Sequence, residues 1–145
     1  ARTPMQWNDK KHTGFSEATP WIGVNPNYVA INVEKALADN QSILYHYKRL
    51  IDYRKKNEVI VYGDFTLLLE DSNQIFAYMR EYKHRVVVVV CNFTEKDVEA
   101  KVFEALPEEY KASSSKLVIS NYLDRITELK NIKLRPYEAI MYELV

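Results

Sequence analysis

The chain has 145 residues, 47% hydrophobic and 28% charged, which is the composition of a folded globular protein. Its 20 basic and 20 acidic residues cancel, which argues against a nucleic acid or an anionic membrane as the partner. Only three glycines occur, too few for the glycine-rich loops that hold nucleotide phosphates. The single cysteine, Cys91, excludes a disulfide framework and favours a reducing compartment, which we expect to be the cytoplasm.

Residues 1 to 33 predict an irregular segment that is long for a loop. Three prolines and two glycines fall there, so a long helix is excluded. The segment opens with ARTPMQW, in which Arg2 offers a planar fork of donors for hydroxyl or carboxylate groups. Trp7 offers a flat face against which a sugar ring can lie. Loops of this length are often functional, but these residue types alone favour a structural role and leave a binding site open.

Residues 40 to 57, NQSILYHYKRLIDYRKKN, predict an amphipathic helix. Asp39 or Asn40 can cap its start, and the basic run 54–56 suits the carboxyl end of the helix dipole. Its apolar face recurs at three- and four-residue steps. That face consists of Ile43, Tyr47, Leu50 and Ile51.

From residue 58 the apolar period changes to two, which predicts short β-strands. The seven candidates are VIVYG, DFTLLLE, QIFAYMRE, RVVVVVCNF, DVEAKVF, KLVIS and AIMYELV. RVVVVVC is apolar on both faces, so we expect a central strand that is covered on both sides. DVEAKVF alternates with charged residues, so one of its faces meets water. The predicted fold is mainly β with one α-helix, ending in an antiparallel β-sandwich or Greek-key sheet.

Catalytic constellations are absent from the residue pattern, which shows neither GxSxG nor HExxH. The histidines are scattered: His12 in the opening loop, His46 on the helix and His84 in a hairpin turn. We therefore predict no metal site and no cofactor. The carboxylate pairs 70–71 and 108–109 lie in predicted turns, where charge is ordinary. Cys91 lies inside an apolar strand and is interpreted as an inert buried thiol, and the sequon 92–94 as a chance match.

Several longer runs together resemble one family. ARTPMQW, then GF, TPWIGVNPNY and INVE resemble the α-amylase superfamily of glycoside hydrolases. Within it they are most similar to bacterial α-glucosidases, a branch that includes oligo-1,6-glucosidase, maltase-like α-glucosidases, dextran glucosidase and trehalose-6-phosphate hydrolase. The resemblance continues through ILYHYKRLIDYRKKNEVIVYGDF, LLLEDSNQIFAYMR, VVVCNFT and LRPYEAIMYEL, and so covers nearly the whole chain. The LRPYEA ending leans toward oligo-1,6-glucosidase.

The resemblance implies a (β/α)8 catalytic barrel followed by an antiparallel β domain. Residues 1–57 would be the end of that barrel, its last loop and last helix, and residues 58–145 the β domain. A barrel needs about 250 residues, so we expect the chain to begin inside the catalytic domain. The family's retaining mechanism uses an Asp nucleophile, a Glu acid/base and a stabilising Asp, all of which would lie upstream. We therefore expect this chain to hold no catalytic residue and to be inactive alone.

One site residue is carried over by the resemblance. Arg2 is expected to bind the terminal glucose of short α-glucosides such as isomaltose and to enforce cleavage from the chain end. Met5, Gln6 and Trp7 are expected to pack the loop around it. The expected partner of residues 1–57 is the upstream catalytic barrel. Without that barrel, the apolar face of helix 40–57 is expected to pack onto the β domain, pair with a second copy or promote aggregation.

Two alternatives remain at this point. The longer protein could be a maltase-like α-glucosidase or a trehalose-6-phosphate hydrolase instead of an oligo-1,6-glucosidase. The chain could also be an independent carbohydrate-binding module, which would need a platform of solvent-facing aromatic rings. Tyr62, Phe76 and Tyr78 lie within apolar runs and are predicted to be packed rather than displayed, which argues against such a module.

Overall fold

The computed structural model describes residues 2–124 and 128–145, and the chain divides into two compact units, residues 1–52 and 53–145. The helices are α1 (Val33–Ala38), α2 (Ile43–Lys56) and α3 (Glu58–Tyr62). Short 3-10 turns occur at Lys11–Gly14, Pro26–Val29, Glu108–Tyr110 and Leu129–Asn131. No helix within the described ranges combines the length and the apolar character that crossing a membrane requires.

The predicted amphipathic helix is α2, and its basic carboxyl end is at residues 54–56 as expected. Its apolar face is open to solvent, with Ile43 87% and Tyr47 65% exposed, and Leu50 and Ile51 near 37% and 38%. A face of this kind is normally buried, because tertiary packing of the apolar stripe supplies most of a helix's stability. The helix therefore presents an apolar surface that is mostly open to solvent at Ile43 and Tyr47 and partly covered at Leu50 and Ile51.

The strands form an antiparallel arrangement, as the alternating pattern predicts. They are β1 (Asp64–Leu68), β2 (Ile75–Tyr82), β3 (Arg85–Asn92), β4 (Val98–Ala100), β5 (Ser115–Ser120), β6 (Ile132–Leu134) and β7 (Ala139–Leu144). Five of them make one sheet in the order β1-β2-β3-β7-β5, and β4 pairs with β6 in a second sheet. β6 is the strand that the residue pattern does not predict. It has only three residues, IKL, too few to show an alternation.

The apolar core lies on one face of the five-stranded sheet, called here the inner face. Ala77, Val88 and Tyr142 lie there, all 0% exposed, and pack with Ile132 and Leu134 of β6. β3 lies in the middle of the strand order. Its neighbours Val87 and Val88 point to opposite faces, yet both are 0% exposed. The prediction of a central strand covered on both sides is therefore confirmed.

The prediction of a strand at VIVYG is wrong, because this run forms α3. Val59 is 1% exposed and packs on Val87 and Met141 of the opposite, outer face of the sheet. Packing overrides the β propensity of the valines and the isoleucine. Gly63 ends the helix with an N–H bond to the Val59 carbonyl, and a Cβ there would lie 2.4 Å from that oxygen. A larger residue at position 63 would displace the carboxyl end of α3.

The expectation that the sheet aromatics are packed is also wrong. Tyr62 is 65% and Phe76 42% exposed, and Tyr78 is half-buried. Phe76 and Tyr78 alternate with Ile75, Ala77 and the rest of the inner-face residues, so they point to the outer face. The apolar run therefore hides two different environments that a sequence pattern cannot separate.

A buried polar corner joins the end of β3 to the segment before β7. The Asn92 amide donates to the carbonyls of Lys96 and Arg135 at 2.7 and 2.8 Å. Glu138, 0% exposed, accepts from the Arg135 backbone N–H at 2.8 Å and from its guanidinium at 3.0 Å. The Arg135 guanidinium also lies 3.9 Å from the centroid of the Tyr122 ring. Because Asn92 is only 3% exposed and fully engaged, its side chain is closed to glycosylation.

Candidate functional site

The opening segment places Arg2 on the surface. Arg2 and Thr3 are exposed, and Pro4 behind them is buried. A proline disfavours helical backbone in the residue before it, so the segment approaches Pro4 in an extended form. Arg2 is thus exposed to solvent, while Pro4 two residues later is buried.

Gln6 ties this segment to a second loop. Its amide donates to Asn27 Oδ1 at 3.0 Å and to the Ile31 carbonyl at 2.5 Å. Its backbone carbonyl accepts from Val33 N–H at 2.9 Å. The Trp7 carbonyl accepts in the same way from Glu34 N–H at 3.0 Å. Gln6 therefore fixes the position of the segment that carries Arg2, which agrees with the loop-packing role expected for it.

A tight turn holds the other side of the segment. Thr13 is 0% exposed and its hydroxyl donates to the Met5 carbonyl at 2.9 Å. Its own carbonyl accepts from Trp7 N–H at 2.9 Å. His12, Thr13 and Gly14 all have positive φ, of 52°, 61° and 66°, and a Cβ on Gly14 would lie 2.6 Å from the Asn8 amide. Such a run of left-handed residues is costly and persists only where its surroundings fix it.

Asn32 organises the second loop. Its Oδ1 accepts from Lys35 N–H at 2.9 Å, which caps α1, and its amide donates to the Tyr28 carbonyl at 2.8 Å. It is 6% exposed. Beside it, residues 3–6 and 31–33 together with Ala36 line an open cavity of about 310 Å³. The cavity is mainly apolar and lies next to the Arg2 segment, so it can contact a ring or an alkyl group but supplies no acid or base.

Met5 and Trp7 are 48% and 49% exposed, so each packs the loop on one side only. The residues that sequence reasoning misses are Thr13, which fixes the turn, Asn27, which accepts from Gln6, and Asn32, which organises the second loop. Asn32 has a recognisable signal, an Asn before the short apolar run VEKALA that forms α1. Thr13 has none, because its role depends on a left-handed backbone that a β-branched residue rarely adopts.

The other titratable residues that the sequence analysis singled out, apart from His12, belong to other parts of the chain. The pairs 70–71 and 108–109 are exposed, and Glu108 is bound to Lys111 at 2.6 Å. Burial, and after it the charge of Arg49, lowers the pKa of His46 on α2. Burial raises the pKa of the Cys91 thiol, which is half-buried on the outer face and not enclosed as expected. In the described residues no three His, Cys, Asp or Glu side chains converge on a metal position.

Two family models match this chain. The model for the catalytic domain of α-amylase matches residues 1–63, and the model for the C-terminal domain of maltogenic amylase matches residues 65–141. The second alone spans more than half of the chain. The chain belongs to the α-amylase family.

Members of this family with high similarity cover the same region. This α-amylase-family chain is 48% identical over 144 residues to an oligo-1,6-glucosidase from Bacillus cereus. It is 38% identical over 146 residues to a trehalose-6-phosphate hydrolase from Bacillus subtilis (strain 168). Each alignment covers 99% of this chain and 25% of the relative. The chain therefore spans a quarter of the length of these proteins, and the likeness covers 99% of its own length.

A solved structure agrees in fold. The crystal structure of a trehalose-6-phosphate hydrolase from Bacillus licheniformis matches with a TM-score of 0.90 at 39% identity. The match covers 99% of this chain and 25% of that one. The loop segment, the helices and the antiparallel sheets are thus an arrangement that a family member also contains.

Proposed function

We propose that this chain is the C-terminal part of a retaining α-glucosidase of the oligo-1,6-glucosidase type, acting from the chain end on short α-glucosides such as isomaltose. The observation that carries the proposal is the identity over the full chain, 48% to an oligo-1,6-glucosidase against 38% to a trehalose-6-phosphate hydrolase. In this proposal residues 1–57 close the catalytic barrel and residues 58–145 form a stabilising β domain. The unit boundary near residue 52 and the passage between family models near residue 64 support a division in this region.

Arg2 is the substrate-binding residue of the proposal. A guanidinium donates several hydrogen bonds from one rigid plane, which suits neighbouring hydroxyls of a terminal glucose. Gln6, the Thr13 turn and buried Pro4 fix the backbone that follows, so the reach of Arg2 starts from a defined place. The role of Arg2 is thereby to hold the sugar in register with reacting groups that other parts of the protein supply.

The chemistry of the proposed reaction needs two carboxyl groups about 5–5.5 Å apart across the scissile bond. The acid pairs 70–71 and 108–109 are on exposed turns of the β unit, where no enclosed cleft excludes water. We therefore propose that the 145-residue chain does not hydrolyse glucosides alone. The free thiol at Cys91 fits a cytoplasmic location, which is part of the same proposal.

Hydrolysis assays test the proposal directly. The full-length protein that contains this chain is expected to cleave isomaltose in preference to maltose and to trehalose 6-phosphate, while the purified 145-residue chain cleaves none. Preference for trehalose 6-phosphate would move the assignment to that hydrolase, and preference for maltose to a maltase-like enzyme. Turnover by the 145-residue chain at the same level in an Arg2→Ala variant would overturn the role of Arg2 and redirect attention to the turn carboxylates.

A matched pair of variants tests Arg2 in the full-length protein. Arg2→Ala is expected to lower kcat/KM by about 10- to 100-fold, the value of a charged hydrogen bond to substrate. Lys10→Ala, at another exposed basic position of the same loop, is expected to leave it unchanged. Equal effects of the two substitutions would mean that Arg2 contributes only general positive charge.

An independent carbohydrate-binding module is the second candidate. The observation in its favour is the exposure of Tyr62 and Phe76, which supplies the displayed rings that such a module needs. Calorimetric titration of the 145-residue chain with maltose and isomaltose decides between the two. Heat of binding at millimolar sugar would favour the module, and its absence the stabilising domain.

A further inference from the structure

Four aromatic side chains form a continuous strip on the outer face of the sheet. Phe65 stacks on Tyr78 with ring centroids 5.1 Å apart, Tyr78 meets Phe76 at 5.6 Å, and Phe76 meets Phe93 at 6.4 Å. Three of the four are largely exposed: Phe65 55%, Phe76 42% and Phe93 68%. These four residues are called the aromatic strip below.

The strip is the uncovered continuation of a packed surface. On the same outer face, α3 covers Val87 and Met141 through Val59. Tyr62 of α3 meets Tyr82 of β2 at a ring-centroid distance of 5.9 Å. The outward side chains of β2 thus run from a covered end at Tyr82 to an open end at Phe76. One end of the outer face is therefore covered by α3, and the other end, at the aromatic strip, is open to solvent.

α3, which covers one end of the outer face, and the sheet beneath it are matched by different family models. α3 lies within residues 1–63, the region matched by the catalytic-domain model, whereas the sheet lies in the region matched by the C-terminal-domain model. The formed half of the interface is therefore a contact between these two family regions. The relatives are about four times longer than this chain, because the chain covers 25% of their length.

We propose that the remaining part of the catalytic domain packs on the aromatic strip. In this way it extends, across the outer face, the contact that α3 makes with the sheet. The inference rests on the proposed function, that this chain is the end of a longer α-glucosidase. Large contiguous apolar patches on a protein surface mark interaction sites, and stacked aromatic rings dominate interface energetics. Beside the strip, residues 72–76 and Phe93 line a depression of about 440 Å³ that can receive a side chain of the partner.

A built-in reporter makes the proposal measurable. Cys91, the only cysteine of the chain, pairs in register with Phe76 and lies half-buried on the same outer face. Alkylation of Cys91, followed by peptide mass spectrometry, reports cover over the strip even if the longer protein has other cysteines. We expect Cys91 to be alkylated at least about tenfold more slowly in the full-length protein than in the 145-residue chain.

Substitutions in the strip give a second readout. Phe76→Ser with Phe93→Ser is expected to lower the melting temperature of the full-length protein and to restore Cys91 alkylation there, while leaving the 145-residue chain nearly unchanged. Leu123→Ser is the matched control, because Leu123 is 62% exposed in the same unit and lies off the strip. It is expected to change neither protein.

Three results would overturn the proposal. Equal alkylation of Cys91 in the two proteins would show that the strip stays open. Protection in the 145-residue chain by isomaltose would make it a sugar surface, and protection that rises with protein concentration alongside dimer formation would make a second copy the occupant. Isomaltose hydrolysis is assayed on the same full-length preparation. If the full-length protein does not hydrolyse isomaltose although its Cys91 is protected, the proposed function is refuted and the proposed interface is not.

Discussion

The two units of the molecule are held together in different ways. Apart from Pro4, every buried apolar side chain that the described residues contain lies in the unit 53–145, from Val59 to Leu144. In the unit 1–52, the buried positions belong instead to Pro4, Thr13 and Asn32. The unit 1–52 is thus organised by backbone turns and amide hydrogen bonds, and the unit 53–145 by a hydrophobic core.

This difference indicates where each unit obtains its stability. Burial of apolar surface is the dominant favourable term in folding, and hydrogen bonds add only about 0.5–1.5 kcal/mol each. The β unit therefore contains its own main source of stability. The loop-and-helix unit exposes Trp21, at 88%, and Ile43, at 87%, in place of burying them. Its fold is specified in detail by polar contacts, and these two large apolar side chains are open to solvent.

Truncation of one isoleucine in each unit gives the largest expected contrast. Ile140→Ala in β7, where the side chain is 2% exposed, is expected to lower the free energy of unfolding by about 2–5 kcal/mol. Ile43→Ala on α2, where the side chain is 87% exposed, is expected to change it by less than about 0.5 kcal/mol. Urea unfolding of the 145-residue chain measures both. Similar losses of unfolding free energy for the two variants would contradict the claim that the two units are stabilised in different ways.

The buried polar corner of the β unit is expected to matter next most. Glu138→Gln replaces a fully buried carboxylate that accepts from the Arg135 backbone and guanidinium. We expect a loss of about 1.5–3 kcal/mol in unfolding free energy, since hydrogen bonds to charged groups are the stronger kind. Glu109→Gln, on an exposed turn, is the control and is expected to be neutral. A neutral Glu138→Gln would show that the corner does not stabilise the unit.

Loss of the α1 cap tests the polar contacts that organise the unit 1–52. Asn32→Ala removes the side chain that accepts from Lys35 N–H, a contact usually worth about 1 kcal/mol. We expect faster hydrogen exchange at the Lys35 amide and its neighbours in α1, with no change in the exchange of β3. Faster exchange of the β3 amides as well would indicate that the two units unfold together, contrary to the view given above.

Alkaline pH gives the smallest expected effect. A hydrogen bond from the Tyr110 hydroxyl to Glu81, followed by burial, raises the pKa of Tyr110 to about 12 from 10.0. Because folding raises this pKa, the stabilisation is complete below about pH 10 and is lost as the pH rises through about 12. Tyr110→Phe is therefore expected to be less stable than the parent chain at about pH 9, and this difference should shrink toward about pH 12. A pH-independent difference would exclude the hydrogen bond as its cause.

The β architecture was accessible from the sequence because most strands are short apolar runs bounded by turn-like residues. RVVVVVC also shows its central position through apolar residues on both faces, and AIMYELV and QIFAYMRE stand out as such runs. VIVYG could not be assigned in this way. Its residues favour strands, and only the packing of Val59 on the sheet makes it a helix. Tertiary contacts of this kind leave no local signal.

The sequence points to the opening segment as a candidate site, but it does not indicate the contacts that fix this segment. ARTPMQW stands out through Arg2, Pro4 and Trp7, and the family resemblance points to Arg2. The contacts that fix this segment come from Asn27, Asn32 and the left-handed turn at Thr13. Asn27 is 21 positions from Gln6 along the chain, and loop geometry, not residue type, brings the two together.

Native-state hydrogen exchange of the 145-residue chain and of the full-length protein tests the central claim most directly. In the 145-residue chain we expect amides of β2, β3 and β7 to exchange only through global unfolding, and amides of α1 and the first turns of α2 to exchange much sooner. In the full-length protein the α1 and α2 amides are expected to become as protected as the sheet. Equal protection of both units in the 145-residue chain would contradict the account, because the loop-and-helix unit would then need no partner.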